Sequence, residues 1–139
     1  MNTKSLKSKT PLYRSSANML LIDDDPVFCM VMEKISEELN VALTTCSSFN
    51  ELENLAVPEV FDVALVDYYL DGVSANLRGP AVTRLLGKTP SFLISRNDTC
   101  EFESGAWPKN IKGFIGKSSG PRGILSEALK FKNQNQVSH

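Results

Sequence analysis

Short apolar runs alternate with mixed polar segments along most of the chain. Five of these runs are rich in branched or aromatic residues and are short enough to be buried strands. They comprise residues 18–22, 41–46, 61–66, 91–95 and 111–116. The segments between them carry apolar residues at helical spacing, so the pattern predicts strands that alternate with helices.

The clearest helical segment follows the first strand. Over residues 26–39 the apolar positions Val27, Met30, Val31, Ile35 and Leu39 fall on one face, and the proline at 26 suits a first helical turn. Similar spacing predicts helices over 48–56, 79–86 and 121–131, and a weaker pattern over 98–106 ends at Gly105, Trp107 and Pro108. Since parallel strands need right-handed crossovers, the order predicts a five-unit, doubly wound α/β domain.

The chain length and composition fit one domain. Its 139 residues are 42% hydrophobic, which is enough for a single core. Residues 1–16 contain lysine and arginine, no acid and no apolar stretch of the kind a signal peptide needs, so we expect a flexible basic tail. The domain then spans 17–131, and 132–139 is expected to be a polar tail.

Charge and cysteine content exclude several classes of function. A formal net charge of −1 gives no general reason to expect nucleic acid or an anionic membrane as partner. Cys29, Cys46 and Cys100 are odd in number and far apart, so neither a disulfide framework nor a CxxC metal site is indicated. We expect a reduced, cytoplasmic protein in which Cys29 and Cys46 are small buried hydrophobes.

Polar side chains follow four of the five predicted strands. Asp23 and Asp24 come after the first strand, Asp67 after the third, Ser95 ends the fourth, and Lys117 follows the fifth. In an open α/β sheet the carboxyl ends of the strands form one edge, where ligands bind. Carboxylates gathered at that edge raise one another's pKa unless a cation neutralises them, and Mg²⁺ prefers such oxygen ligands.

The lysine and the serine extend this chemistry. An amine and a hydroxyl beside a carboxylate–metal site are suited to stabilising a transferred phosphoryl group. The set of residues therefore favours phosphoryl transfer to a carboxylate.

Four motifs in order resemble the CheY-like receiver domain of response regulators in two-component signalling. They are LLIDDDP, ALVDYYL, FLIS and FIGK, and the resemblance covers about residues 17–131. It implies a flavodoxin-like sheet with strand order 2-1-3-4-5, about five helices, and a signalling module rather than an enzyme. It also implies that Asp67 is the phosphoacceptor, that Ser95 and Lys117 bind the phosphoryl oxygens, and that Phe114 is an aromatic switch residue.

The same resemblance implies a Mg²⁺ site and a set of partners. Asp24 would bind the metal directly, Asp23 largely through water, and Asp67 and the Tyr69 carbonyl would complete the protein ligands. The phosphoryl donor would be a histidine kinase or phosphotransfer protein. We expect a stand-alone receiver whose output is a change in protein contacts, through an unidentified downstream partner or a homodimer.

Some residues depart from the receiver pattern. Arg96 stands where the family usually has a small residue, and its guanidinium could block the site or clamp the phosphate. Ser118 replaces the proline that usually follows the lysine, and the loop over 68–79 is longer than expected. Asp25 allows a slip in which Asp24 and Asp25 form the acid pair, although Asp25 before proline also suits a helix cap.

Two other functions remain open from the residues alone. Asp23, Asp25 and Val27 also resemble the nucleophile motif of haloacid-dehalogenase-type phosphatases, in which Ser95 and Lys117 would serve the second and third motifs. That family needs a further acidic motif after the lysine, where this chain has only Glu127. A degenerate receiver that binds proteins without accepting phosphate is the other alternative.

Overall fold

The strands form one parallel sheet. The computed structural model of the chain describes residues 17–54, 61–68, 83, 86–96 and 108–137. The strands are β1 (Ala17–Ile22), β2 (Val41–Cys46), β3 (Val63–Asp67), β4 (Ser91–Ser95) and β5 (Ile111–Gly116). They lie in the order β2-β1-β3-β4-β5, and every neighbouring pair is parallel. The predicted fold class and strand order are therefore confirmed.

Three α-helices lie within the described ranges. They are α1 (Pro26–Glu38), α2 (Phe49–Glu53) and α3 (Gly120–Val137), and one 3₁₀ turn (Lys117–Ser119) leads into α3. The helix predicted over 98–106 lies outside the described residues, as does most of the one predicted over 79–86. Among the described helices, none combines the length and apolarity that crossing a bilayer requires.

The last helix is longer than its apolar pattern predicts. We expected it to end at 131 and the following residues to form a polar tail, but α3 continues to 137. Residues 132–137, KNQNQV, lack the apolar spacing from which the helix was predicted. The last turns of a helix need only backbone hydrogen bonds and residues of adequate propensity, so apolar periodicity does not show where the helix ends.

Alternating residues of the central strands form two hydrophobic cores, one on each face of the sheet. One face carries Met19, Leu21, Val63 and Leu65, and α1 and α3 pack against it. The other carries Leu20, Ile22, Ala64, Val66 and Leu93. Because β1 and β3 are buried on both faces, their sequences are continuous apolar runs, as expected for inner parallel strands.

The buried face of α1 differs from the predicted one. Cys29 and Met32 are buried and Phe28 packs against the core, whereas Val27 and Met30 are 66% and 67% exposed. Ile35 and Leu39 do pack against the core as expected. The apolar positions of this helix extend around more than one face, so periodicity alone could not decide which part faces the sheet.

Asp25 fixes the start of α1. Its Oδ1 accepts hydrogen bonds from the backbone N–H groups of Val27 and Phe28, at 3.0 and 3.2 Å. These hydrogen bonds hold the pKa of the Asp25 carboxyl below its ordinary value. Asp25 is therefore the N-cap, as its position before proline indicated.

Replacing the cap should destabilise the domain selectively. Asp25→Ala removes both hydrogen bonds to the first turn, so we expect the thermal midpoint to fall by a few degrees. Asp25→Asn keeps an oxygen acceptor and should stay close to wild type. Thermal unfolding followed by circular dichroism compares the two, and an equal loss in both would contradict the capping role.

The thiols of Cys29 and Cys46 are buried and free, as predicted. Burial raises the pKa of Cys29 to about 12 and that of Cys46 to about 11, from an ordinary value of 9.0. Because the thiol pKa is higher in the folded protein than in the unfolded chain, the contribution of these thiols to folding stability is fully present below the unfolded-state pKa. It is lost as the pH rises toward the folded-state pKa.

Two results should follow in a Cys100→Ser variant, in which Cys29 and Cys46 are the two remaining cysteines of the three in the sequence. The free energy of unfolding should decline between about pH 9 and pH 11, because the unfolded thiols ionise first. Labelling by a thiol reagent at pH 8 should be slow until denaturant is added. Rapid labelling of the native protein would contradict the burial of these side chains.

Candidate functional site

Three carboxylates meet at the carboxyl edge of the sheet. Asp23 and Asp24 follow β1, and Asp67 ends the neighbouring strand β3. Each offers one oxygen, and these three oxygens lie within 4.8 Å of one another. The register explains the meeting, because Ile22 on β1 is paired with Val66 on β3, so the next residue of each strand is an aspartate.

Asp23 is the most deeply buried acid of the cluster, with no exposed surface. Its backbone N–H donates to the Cys46 carbonyl at 3.0 Å, and its Oδ1 accepts from the Asp25 N–H at 3.0 Å. Burial raises the pKa of this carboxyl, and the opposing effects of Lys117 and the Asp25 N–H do not cancel the rise. A buried carboxylate of this kind is destabilising unless a cation lies close to it.

Lys117 supplies the amine at this edge. Its Nζ lies 2.7 Å from Oδ2 of Asp23 and 3.9 Å from Oδ2 of Asp67. The closer approach is an ion pair between the amine and the fully buried carboxylate. Nζ also lies 4.4 Å from the ring centroid of Phe28. The amine is therefore held between two carboxylates and an aromatic face.

Phe28 was not predicted as part of this site. Its signal in the sequence was weak: an aromatic residue three positions after the last acid, in the first turn of a helix whose N-terminus faces the acidic edge. A cation over an aromatic ring gains about 0.5–2 kcal/mol, depending on solvent exposure. The ring thus helps to hold the amine in place.

Asp67 and Ser95 lie on adjacent strands and are both buried, with 6% and 1% exposure. Asp67 is paired in register with Ile94, and the Tyr68 N–H donates to the Ile94 carbonyl at 2.9 Å. Ser95 is the next residue on β4 and is paired with Gly116, which precedes Lys117. Ser95 therefore lies on the strand between those that carry Asp67 and Lys117.

Of the other predicted site residues, the structure describes Phe114 but not Tyr69. Phe114 is half-buried on β5 and packs against the second core, as does Tyr68. Tyr69 and the long loop after it lie outside the described residues. The Lys117–Ser118 peptide bond is trans.

Asp25 does not belong to the carboxylate cluster found in the described residues. Its Oδ1 caps α1, and its Oδ2 lies 3.4 Å from Nη2 of Arg96. This arrangement supports Asp23 and Asp24 as the acid pair and disfavours the register that uses Asp25. It also weakens the phosphatase alternative, in which Asp25 would belong to the nucleophile motif.

The donor set fits a hard divalent cation. Three carboxylates offer convergent oxygens, and two of these side chains, Asp23 and Asp67, are buried. Carboxylate oxygens are the ligands that Mg²⁺ and Ca²⁺ prefer. A cation here would offset the mutual repulsion of the acids.

Solved structures with the same architecture are numerous. A response regulator receiver domain from Methanospirillum hungatei JF-1 has a TM-score of 0.68 and 18% identity, covering 90% of this chain and 100% of its own. The receiver domain of a putative LuxO repressor from Vibrio parahaemolyticus has a TM-score of 0.67 and 10% identity, covering 90% and 98%. The chain has the receiver-domain fold.

A third solved structure of this fold contains a modified residue and bound ligands. It is a response regulator from Burkholderia pseudomallei with a phosphorylated aspartic acid, a calcium ion and citrate. Its TM-score is 0.66 at 19% identity, and the match covers 89% of this chain and 75% of that one. By sequence, the chain matches no family model and no curated protein. The likeness to receivers is therefore one of fold.

Proposed function

We propose that this receiver-fold domain is a phosphoacceptor in two-component signalling. Asp67 accepts a phosphoryl group from a histidine kinase or a phosphotransfer protein. Mg²⁺ is held by Asp23, Asp24 and Asp67, with the Tyr69 carbonyl as a further ligand. The observation that carries the proposal is the meeting of three carboxylates within 4.8 Å beside a lysine amine, at the carboxyl edge of a receiver-type sheet.

The proposed transfer is a single displacement at phosphorus. A carboxylate oxygen of Asp67 forms the new O–P bond while the bond from phosphorus to the donor breaks. When acetyl phosphate is the donor, the electron pair of that bond leaves with acetate, and no proton is needed. When phosphohistidine is the donor, the ring nitrogen that loses phosphorus takes up a proton.

Each residue at the edge has a distinct part in this step. Bound Mg²⁺ would supply charge neutralisation of the phosphoryl oxygens. The Lys117 amine, now 3.9 Å from Asp67, is close enough to bind a phosphoryl oxygen with a small shift. Ser95, on the adjacent strand, offers a hydroxyl donor to the same group.

The proposed output is a change in protein contacts. Movement of Ser95 toward the new phosphate leaves space beside β4, and Phe114 on the neighbouring strand repacks into it. A downstream protein or a second copy of the domain would bind the altered surface. The reduced thiols of Cys29 and Cys46 suit a reducing compartment, so we place the protein in the cytoplasm.

Intact mass measurement tests this function. After incubation with acetyl phosphate and MgCl₂, wild type should gain the mass of one phosphoryl group and Asp67→Asn should gain none. Asp62→Asn is a matched control, because Asp62 lies at the other end of β3, where its Oδ2 accepts from the Asn18 N–H at 2.8 Å. This variant should be phosphorylated like wild type.

Other outcomes would favour the alternatives. Peptide mapping that places the phosphoryl group on Asp23 would favour a phosphatase-type nucleophile and contradict the proposal. A wild-type protein that neither gains mass nor responds to beryllofluoride with Mg²⁺ would favour a degenerate receiver that only binds proteins.

A further inference from the structure

An ion pair crosses the acidic edge above the strand that carries Asp67. Arg96 is the first residue after β4, and Asp25 lies in the loop after β1. Nη2 of Arg96 lies 3.4 Å from Oδ2 of Asp25. Because β3 lies between β1 and β4 in the sheet, the arginine side chain must extend past the carboxyl end of β3 to make this contact.

This pair is weak enough to exchange. The arginine side chain is 80% exposed and the aspartate side chain 31% exposed, and exposed ion pairs contribute little to stability. Asp25 does not need the arginine for its role in the helix, since Oδ1 alone accepts from Val27 and Phe28. The guanidinium can therefore leave Asp25 without loss of the cap.

The charges at this edge favour a different partner for the guanidinium once Asp67 is modified. The Lys117 amine is already 2.7 Å from Asp23, so it is shared among acids. A phosphoryl group on Asp67 would add a dianion beside Asp23 and Asp24. Arginine binds phosphoryl oxygens in a planar, bidentate manner, which is stronger than a single contact to a carboxylate that already accepts two hydrogen bonds.

We propose that Arg96 is a phosphoryl-binding residue that lengthens the lifetime of the phosphorylated state. On phosphorylation the guanidinium leaves Asp25, binds the phosphoryl oxygens and covers the phosphorus from water. In the hydrolysis that it slows, a water oxygen attacks phosphorus and the bond to Asp67 breaks. The electron pair returns to the carboxylate, and dihydrogen phosphate leaves with both water protons. This inference rests on the proposed function of Asp67.

The decay of the phosphorylated protein tests the role of Arg96. Protein phosphorylated with acetyl phosphate is freed of donor, kept in MgCl₂, and followed by intact mass. The phosphorylated form of Arg96→Ala should decay about tenfold faster than that of wild type, because a tenfold change corresponds to the loss of one charge-assisted hydrogen bond. Arg96→Lys keeps the charge without the bidentate geometry and should decay at an intermediate rate.

Asp25→Asn is the discriminating control. It keeps a helix-capping oxygen but removes the charge that competes for the guanidinium, so its phosphorylated form should decay about twofold to fivefold more slowly than wild type. If the ion pair acted only as a structural strap, both variants would shift decay in the same direction. That result, or equal decay in Arg96→Ala and wild type, would overturn the proposal.

Beryllofluoride affinity gives a second readout that a purely structural role would not change. With Mg²⁺ present, binding should be weaker in Arg96→Ala and tighter in Asp25→Asn, while the urea midpoints of both variants stay near wild type. Faster phosphorylation of Arg96→Ala with unchanged decay would show a blocking residue and would contradict the inference. Wild type that takes up no phosphoryl group would end both proposals, whereas phosphorylation on Asp67 with no effect of Arg96 would end only this one.

Discussion

Lys117→Met should lower the free energy of unfolding by about 2–3 kcal/mol in the absence of divalent cations, and should abolish most phosphoryl uptake. The amine is the cation that lies 2.7 Å from Asp23 and 3.9 Å from Asp67, and its side chain is only 12% exposed. Its removal leaves buried carboxylates without this partner. Urea unfolding with and without MgCl₂ measures the effect, and added Mg²⁺ should reduce the loss because it binds the same acids.

Lys130→Met is the matched control for this variant. Lys130 also forms an ion pair, 3.4 Å from Glu127, but both side chains are more than half exposed on α3. Exposed pairs of this kind contribute little, so the control should unfold like wild type. Equal losses in the two variants would show that the position of Lys117 at the acidic edge has no special energetic role.

Asp23→Asn should have the opposite effect on the metal-free protein. The fully buried Asp23 carboxyl has a raised pKa because of burial, so its ionised form is unfavourable in the fold. The amide can still accept from the Asp25 N–H, so we expect a gain of roughly 1 kcal/mol in stability. The double variant Asp23→Asn, Lys117→Met should lose less stability than Lys117→Met alone, since the fully buried carboxylate at 2.7 Å from the amine is removed with it, and only the more distant Asp67 loses its contact.

The same substitution should weaken the response to divalent cations. Wild type should gain about 1.4 kcal/mol for each tenfold excess of free Mg²⁺ over its dissociation constant, and Asp23→Asn much less. The stabilities of the two proteins should therefore cross as MgCl₂ is added. Asp25→Asn, which carries the same chemical change outside the cluster, should keep the wild-type response. A variant that responds to Mg²⁺ like wild type would remove Asp23 from the ligand set.

Most of the fold could be predicted from the sequence because inner parallel strands are apolar on both faces. The third strand was nevertheless predicted too early in the chain, over 61–66, whereas β3 spans Val63–Asp67. Phe61 was included in the predicted strand because it is apolar. In the structure it lies before the strand, next to Asp62, whose side chain accepts a hydrogen bond from the Asn18 N–H. The exposed face of α1 was also missed, because Val27 and Met30 are as apolar as the residues that pack against the sheet.

The convergence of the site was predictable, but its finer arrangement was not. Strand ends in a parallel sheet share an edge, so the meeting of Asp23, Asp24 and Asp67 follows from the order of strands and helices. That Lys117 lies nearer to Asp23 than to Asp67 depends on side-chain positions across three strands. Sequence spacing contains no information on such distances, and the same is true of the contact between Arg96 and Asp25.

The position of Lys117 in the chain has a mechanical consequence. It opens the single turn before α3, while the acids of β1 lead directly into α1, so both helices start at the carboxylate edge. Farther along, Arg122 of α3 forms an ion pair with Glu38 at the end of α1. The segment that carries the amine therefore contacts both ends of α1, through the Phe28 ring at its start and through Arg122 at its end.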